Sequence, residues 1–277
     1  MRGACDGLDG VVDGVVSNVG ACDRAFHLED YRCGGGVDSG DGCFSDAQIA
    51  ALNTMNARTA LGAVLQGGVD GFARWPIFEG ATLAGLFGGG KSAQPHRPAK
   101  AFEDFELYVL ADPAVRYFIA QDPGGDSLQA DPLNYRQRMV EVSDLVDASR
   151  VTLEPFEARG GKLLLVHGTS NFAVSFHNTT DCDERLVAQF GAARFDGFVR
   201  NYVVPGFAHG AGSFEMTWDS LGTLDAWVDQ GRVPADLVAT DVSPATLGRT
   251  RTMCRYPSWA RYLGGDTRVA SNYICSS

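Results

Sequence analysis

The sequence predicts an α/β fold: part of a parallel sheet in the C-terminal half, preceded by an irregular, cysteine-rich region. Three observations carry this prediction. After the Gly160-Gly161 turn, Leu163 to Val166 form a continuous apolar run into His167-Gly168. Such a run reads as a strand buried on both faces, hence parallel sheet. A second run, Phe198 to Val204, stops at Pro205-Gly206. Helical patterns follow both runs. One covers 183–191 and closes at Gly191; the other covers 216–230, with Leu221, Leu224 and Trp227 on one face and Gly231 behind it. Strand, helix, strand, helix is a piece of an open sheet with right-handed crossovers.

The first 150 residues have a different texture. Residues 1–45 are rich in Gly, Asp and Cys and read as loops. Residues 46–65 show helical spacing at Ile49, Leu52 and Met55, with Ser45 or Asp46 as N-cap. Residues 67–100 hold many glycines and aromatics and read as irregular surface loops. Around the break at Pro113, Phe102, Phe105, Leu107, Tyr108, Tyr117 and Phe118 read as short helices with an aromatic face. The texture changes near residue 150, so two domains are expected, 1–150 and 151–277.

The 277 residues are 45% hydrophobic and 21% charged, an ordinary globular balance. The net charge of -11 argues against nucleic acid, whose binding needs a Lys/Arg surface. No apolar run of about 18 residues exists to span a membrane. The cysteines are Cys5, Cys22, Cys33, Cys43, Cys182, Cys254 and Cys275, with no CxxC among them. Zinc ribbons and thioredoxin-like chemistry therefore do not fit. Buried reduced thiols are one reading; local staples in an oxidising compartment, with one thiol left over, are the preferred one. The start, Met1-Arg2-Gly3-Ala4-Cys5, lacks the pattern of a signal peptide, so the true start is expected upstream.

The sharpest motif is Cys5-Asp6-Gly7-Leu8-Asp9-Gly10-Val11-Val12-Asp13-Gly14-Val15. Glycine hinges let the backbone turn tightly and point Asp6, Asp9 and Asp13 at one centre. Main-chain carbonyls of Val11 and Val15 can join them. Hard oxygen ligands in that number suit Ca²⁺. The plainer reading is an acidic, solvated loop.

With Cys22, this motif resembles the calcium loop in the lid domain of the tannase and feruloyl esterase family. Further matches run in order along almost the whole chain: Cys33 with Cys43-Phe44-Ser45-Asp46-Ala47-Gln48; Phe156 to Gly168; Val204-Pro205-Gly206-Phe207-Ala208-His209-Gly210; Leu224 to Asp229 with Gly231; and Arg249 to Pro257 with Cys275. The resemblance implies a partial α/β-hydrolase sheet with an irregular lid stabilised by disulfides and calcium. Residues 1–150 would be the lid and 151–277 the C-terminal part of the hydrolase domain. Implied staples are Cys5–Cys22, Cys33–Cys43 and Cys254–Cys275, leaving Cys182 as a free thiol. Implied localisation is secreted or periplasmic.

The family's chemistry needs a serine, a base to take its proton and an acid to orient that base, in the chain order Ser, acid, His. His209 follows the second strand, where the base belongs, although loop histidines are common. Three residues beyond Gly168, where the resemblance implies Asp, stands Asn171. Asp181 or Asp183 are alternatives for the carboxylate, or else helix caps. No G-x-S-x-G occurs. The nucleophile is expected in an upstream hydrolase segment absent from this sequence. The family's cysteine after the histidine is Gly210 here. A Cys182–His pair is a remote alternative.

The resemblance implies a carboxylic ester hydrolase for small aromatic, phenolic esters, with this chain alone inactive. Phe72, Trp75, Phe78 and Phe87 would stack on the acyl ring or form the lid's own core; Arg74 and Arg97 would touch substrate or lie solvated at the surface. The alternatives are an inactive calcium-binding remnant and an unrelated calcium-stabilised binding domain. A sheet without its first strands would also leave an apolar edge and poor solubility.

Overall fold

A computed structural model of the protein describes residues 2–81, 89–210 and 212–277, so Phe87 lies outside the described residues. In chain order the helices are α1 (Arg2–Cys5), α2 (Val19–Ala25), α3 (Asp46–Met55), α4 (Glu106–Pro113), α5 (Arg136–Val146), α6 (Glu154–Ala158), α7 (Phe176–Phe190), α8 (Ala192–Phe198) and α9 (Ser220–Gln230). The strands are β1 (Thr59–Ala60), β2 (Gly71–Phe72), β3 (Leu163–Gly168), β4 (Val199–Val204), β5 (Met216–Thr217), β6 (Leu237–Asp241), β7 (Thr250–Met253), β8 (Trp259–Tyr262) and β9 (Tyr273–Ser276).

Two compact units form. One comprises Met1–Ala57, Arg74–Ala81 and Glu154–Ser277; the other Arg58–Ala73 and Thr82–Leu153. This differs from a single boundary at 150. The reason is physical: the N-terminal loop packs with the C-terminal strands. Asp13 pairs with Arg251 on β7 and accepts from the Tyr273 hydroxyl at 3.2 Å. The guanidinium of Arg251 also lies over the Tyr273 ring, 4.4 Å from its centroid.

In the first unit β3 and β4 are parallel, in register from Leu163↔Val199 to Gly168↔Val204. Val199, Tyr202 and Val204 are buried, and Tyr202 and Val204 join Phe214, Ala239 and Met253 in one core. The apolar run of β3 is only half-buried, against the expectation of burial on both faces. Among the described residues β4 is its one ladder partner, so its other edge has no neighbouring strand. β5, β6 and β7 form an antiparallel sheet, and β8 pairs with β9.

α7 begins seven residues before the pattern at 183. Ser175 caps it, its hydroxyl accepting from the His177 N–H. Asp181 and Asp183 are therefore mid-helix rather than caps. α9 starts after Asp219, whose carboxylate accepts from the Gly222 N–H, and ends at Gly231 in the left-handed region. Residues 216–217, expected as helix, are strand β5 because they pair with β6. Trp227 is buried, whereas Leu221 is 80% exposed, outside the packed stripe. α3 carries a capping box between Ser45 and Gln48.

Three disulfides join Cys5–Cys22, Cys33–Cys43 and Cys254–Cys275, the pairs the resemblance implied. Cys182 is a free thiol. In the second unit, α4 runs past Pro113 into a wider turn over 114–119. Ser143 on α5 accepts from the Gln66 N–H at 2.9 Å, and Ser149 donates to the Gln66 carbonyl. Phe102, Tyr117 and Phe118 are exposed, so the expected aromatic face of this unit is partly solvated. Among the described residues, no helix is long and apolar enough to cross a membrane.

Candidate functional site

The parallel register makes β3 and β4 end level, so the loops 169–175 and 205–214 leave the same end. The two loops are bonded to each other. The Thr169 N–H donates to the Val204 carbonyl at 3.0 Å, and the Ser170 N–H to the Phe207 carbonyl at 3.1 Å. The approach is so close that a Cβ on Gly168 would lie 2.0 Å from the Phe207 oxygen. In the second loop, the Phe214 N–H returns to the Gly206 carbonyl, and a Cβ on Gly212 would meet that same carbonyl at 2.4 Å. Asn171 and His209 therefore sit on adjacent, mutually braced loops at the carboxyl end of adjacent strands.

Asn171 is largely buried. Its Oδ1 accepts from the Val174 N–H at 3.1 Å. Its Nδ2 lies 3.3 Å from Nε2 of His167. A carbonyl can only accept, so Nε2, 2.9 Å from the Val174 oxygen, carries the proton of His167. Nδ1 then accepts from the Thr179 hydroxyl at 2.8 Å. Burial lowers the His167 pKa, and the charges of His209 and His177 lower it further, against the raising effect of the Val174 bond. The Asn171 amide nitrogen thus meets a donor. A carboxylate at this position would meet a partner.

Both alternative acids, Asp181 and Asp183, lie within α7. Asp183 accepts from Nδ2 of Asn201, in the middle of β4, at 2.6 Å. Its pKa is raised to about 6, chiefly by burial. Burial also raises the Cys182 pKa, which disfavours the thiolate a Cys–His pair would use.

A buried carboxylate in this unit escaped the sequence reading. Glu79 is 0% exposed and accepts from Nε2 of His177 at 2.8 Å and from Arg74 at 2.7 Å. Arg74, expected at substrate or in solvent, is instead tied to Glu79 and Asp23. The Ser175 hydroxyl donates to the Arg74 carbonyl at 2.6 Å, which fastens segment 74–81 along the Asn171 loop. The available signal was one acid directly after the apolar run Trp75 to Phe78. Phe78 belongs to the core with Phe26, whereas Phe72 is 48% exposed. Trp75 is half-buried, and in the second unit Arg97 pairs with Asp126 at 2.8 Å.

In the N-terminal loop Asp6 and Asp9 are buried. Asp6 accepts from the N–H groups of Asp13 and Gly14, and Asp9 Oδ1 from that of Val11. Asp13 is held by Arg251 and Tyr273. Among the described residues no three acidic, Cys or His side chains converge as a metal set. One feature does fit a cation: Asp9 Oδ2 is buried with no partner. Burial raises the Asp9 pKa to about 6, with Asp13 and Asp6 adding repulsion, against the lowering bonds from Ser17 and Val11. The donors are hard oxygens, as Ca²⁺ prefers.

The family model described as "Tannase and feruloyl esterase" matches residues 1–276. An uncharacterized esterase of Agrobacterium fabrum is 33% identical over 99% of this chain and 50% of its own length. The mono(2-hydroxyethyl) terephthalate hydrolase of Piscinibacter sakaiensis is 30% identical over 100% of this chain and 50% of its own length. Among solved structures, an esterase from Aspergillus oryzae superposes with a TM-score of 0.76 at 20% identity, covering 100% of this chain and 55% of that one. The chain thus spans about half the length of the relatives it matches. The structural neighbours are of α/β-hydrolase type.

Proposed function

Because the chain belongs to the tannase and feruloyl esterase family, we propose that it forms the histidine-bearing part of a carboxylic ester hydrolase acting on small aromatic, phenolic esters. The observation that supports this reading is the pair of braced loops at the carboxyl end of β3 and β4, one carrying Asn171 and the other His209, in the order the chemistry needs. His209 is the general base that takes the proton of a serine and returns it to the leaving alcohol. The serine comes from a hydrolase segment outside these 277 residues. A strand from such a segment would cover the half-buried leucines at the edge of β3 that has no strand partner among the described residues. Asn171 stands where the acid belongs but carries no charge to neutralise an imidazolium, and its amide is engaged by Val174 and His167. In a serine protease that substitution costs about 10⁴ in rate.

Asp6, Asp9 and Asp13, with the carbonyls of Val11 and Val15, hold a structural Ca²⁺. The unpartnered Asp9 oxygen supports this. The ion would neutralise the loop's mutual repulsion. Three disulfides support a secreted or periplasmic location.

A second reading, a catalytically inactive calcium-binding remnant, is favoured by one observation: the amide at 171 faces the protonated nitrogen of His167. One experiment separates the two. The chain is assayed alone, and mixed with the complementary half of the Agrobacterium relative, on methyl ferulate, methyl gallate and nitrophenyl esters. The esterase reading expects no turnover alone, turnover in the mixture, loss with His209→Ala, and a gain of at least about 10²-fold with Asn171→Asp. Turnover by the chain alone, or turnover in the mixture that survives His209→Ala, refutes it. A silent mixture that binds its complement and stays silent with Asn171→Asp selects the remnant.

A further inference from the structure

We propose that Asp183 on α7 and Asn201 on β4 form a proton-bearing acid–amide pair, a latch between helix and strand that loosens when the proton leaves. α7 follows directly on the loop of Asn171, and β4 runs into the loop of His209, so the latch joins the two elements that anchor those loops. Its chemistry involves neither His209 nor a serine, so it stands apart from the esterase reading.

Both side chains are buried, Asp183 to 5% and Asn201 to 3% exposure. Asn201 Nδ2 donates to Asp183 Oδ2 at 2.6 Å. That bond uses one polar atom of each planar group. The other atom of each, Asp183 Oδ1 and Asn201 Oδ1, is buried with no hydrogen-bond partner. With Asp183 ionised both are acceptors, and two buried acceptors lacking a donor are costly. A proton on Asp183 Oδ1 removes both deficits. The hydroxyl donates to Asn201 Oδ1, and two antiparallel bonds close a ring. As pH rises that proton goes to solvent, the O–H···O bond is lost, and a carboxylate oxygen is left against a carbonyl oxygen. The surroundings favour the neutral acid. Burial, the largest influence, raises the Asp183 pKa to about 6; the Asn201 bond and the Arg255 charge lower it, and Glu184 on α7 raises it. Arg255 spends its guanidinium on Asp196 of α8. Burial raises the pKa of both Cys182 and Tyr256, which keeps these neighbours uncharged. On β3 the residue in register with Asn201 is Leu165, and His167 is engaged by Thr179 and Val174. A group with its folded pKa raised contributes stability at low pH and loses it as pH climbs through the folded value, so the latch is closed below about pH 6 and loosened above it.

The test follows the Asp183 carboxyl carbon and the Asn201 side-chain carbonyl carbon by NMR in the full labelled chain, from about pH 4 to 8. Asp183→Asn assigns the first signal by its loss. Both carbons should titrate with one midpoint near 6, against about 3.9 for an ordinary aspartate. In Asp183→Asn an amide N–H replaces the acid's O–H, so the Asn201 signal should no longer depend on pH. Protection of the α7 and β4 amides from solvent exchange, corrected for the intrinsic rate, should fall about fivefold between about pH 5 and 8 in the wild type and stay level in Asp183→Asn. An Asp183 midpoint below about 5, an Asn201 carbonyl that does not follow it, or the same fall in protection in both proteins overturns the proposal. A variant that fails to fold also overturns it, because the amide stands in for the neutral acid.

Discussion

Replacing Asp241 by Asn should unfasten the limb that follows His209. Asp241 is 0% exposed at the end of β6. Its Oδ2 accepts from Nε and Nη2 of Arg249 at 3.0 and 2.8 Å and from the Thr246 hydroxyl at 2.7 Å. Its Oδ1 accepts from the N–H groups of Ser243 at 3.0 Å and Glu215 at 3.2 Å. Arg249 also donates to the Ser213 carbonyl and covers the Phe214 ring. The pair thus grips residues 213–215, the return limb of the His209 loop. Burial alone would raise the Asp241 pKa, but the bonds from Thr246, Ser243, Arg249 and Glu215 outweigh it and hold it low. An amide keeps the shape but sets its N–H₂ against Arg249 and Thr246 donors, or against the backbone donors if turned. It also leaves the buried guanidinium without its counter-charge. Breaking one partner of a buried pair costs about 3–5 kcal/mol. We expect a loss of about 3 kcal/mol, and a melting point lower by ~6–12 °C.

All four tryptophans, Trp75, Trp218, Trp227 and Trp259, lie in the first unit. Their fluorescence in urea therefore reports that unit's unfolding. A carboxylate with a lowered pKa contributes stability above its unfolded value of about 3.9 and loses it as pH falls through the folded value. The gap between wild type and variant should be full at pH 7 and close below about pH 4. Arg249→Met added to Asp241→Asn should recover part of the loss, since no unpaired charge remains. A loss below about 1 kcal/mol at pH 7, a gap that persists unchanged in acid, or a double variant as unstable as the summed singles refutes the reasoning.

Asp183 carries the opposite sign. Its pKa of about 6 means that stability present below about pH 4 is lost as pH rises through 6. Asp183→Asn should therefore gain about 1 kcal/mol at pH 7–8 once solvent screening is allowed for, and nothing at pH 4; urea titrations at the two pH values check it. For the calcium proposal, calcium at about 100 times its dissociation constant should raise stability by about 3 kcal/mol over EDTA, and Asp9→Asn should abolish the difference. An EDTA melting curve identical to the calcium curve sinks that proposal. Cys254→Ser opens a disulfide spanning 21 residues and should cost about 3 kcal/mol, read by urea denaturation.

Much of this protein is local and therefore legible in one dimension. The run Leu163 to Gly168 and the run ending at Pro205-Gly206 announced β3 and β4, because an apolar stretch bounded by breakers has few other uses. Ser45 or Asp46 announced the start of α3, and Gly231 the end of α9, because capping involves residues a few positions apart. The cysteine pairs were legible through resemblance, as was the family. What proximity in space decides was not legible. The pattern places Asp183 at a helix start, whereas the fold starts α7 at Phe176, behind the Ser175 cap, and buries Asp183 against Asn201. Leu221 sat on the expected stripe and was left in solvent, because the partner surface meets Trp227 instead. β5 to β9 are short strands whose pairings cross up to dozens of residues.

The sequence alone determined which residue types stand at the ends of the two parallel strands: an imidazole at 209 and an amide, not a carboxylate, at 171. Side-chain chemistry at a position is covalent and needs no fold to be known. Only the tertiary structure decided who faces whom. It turned Asn171 towards His167, spent Arg74 on Glu79 and Asp23, and closed the N-terminal loop onto Arg251 and Tyr273. Those partners lie from 4 to 260 positions apart in the chain, and burial, by making an unpaired polar group costly, is what selected them.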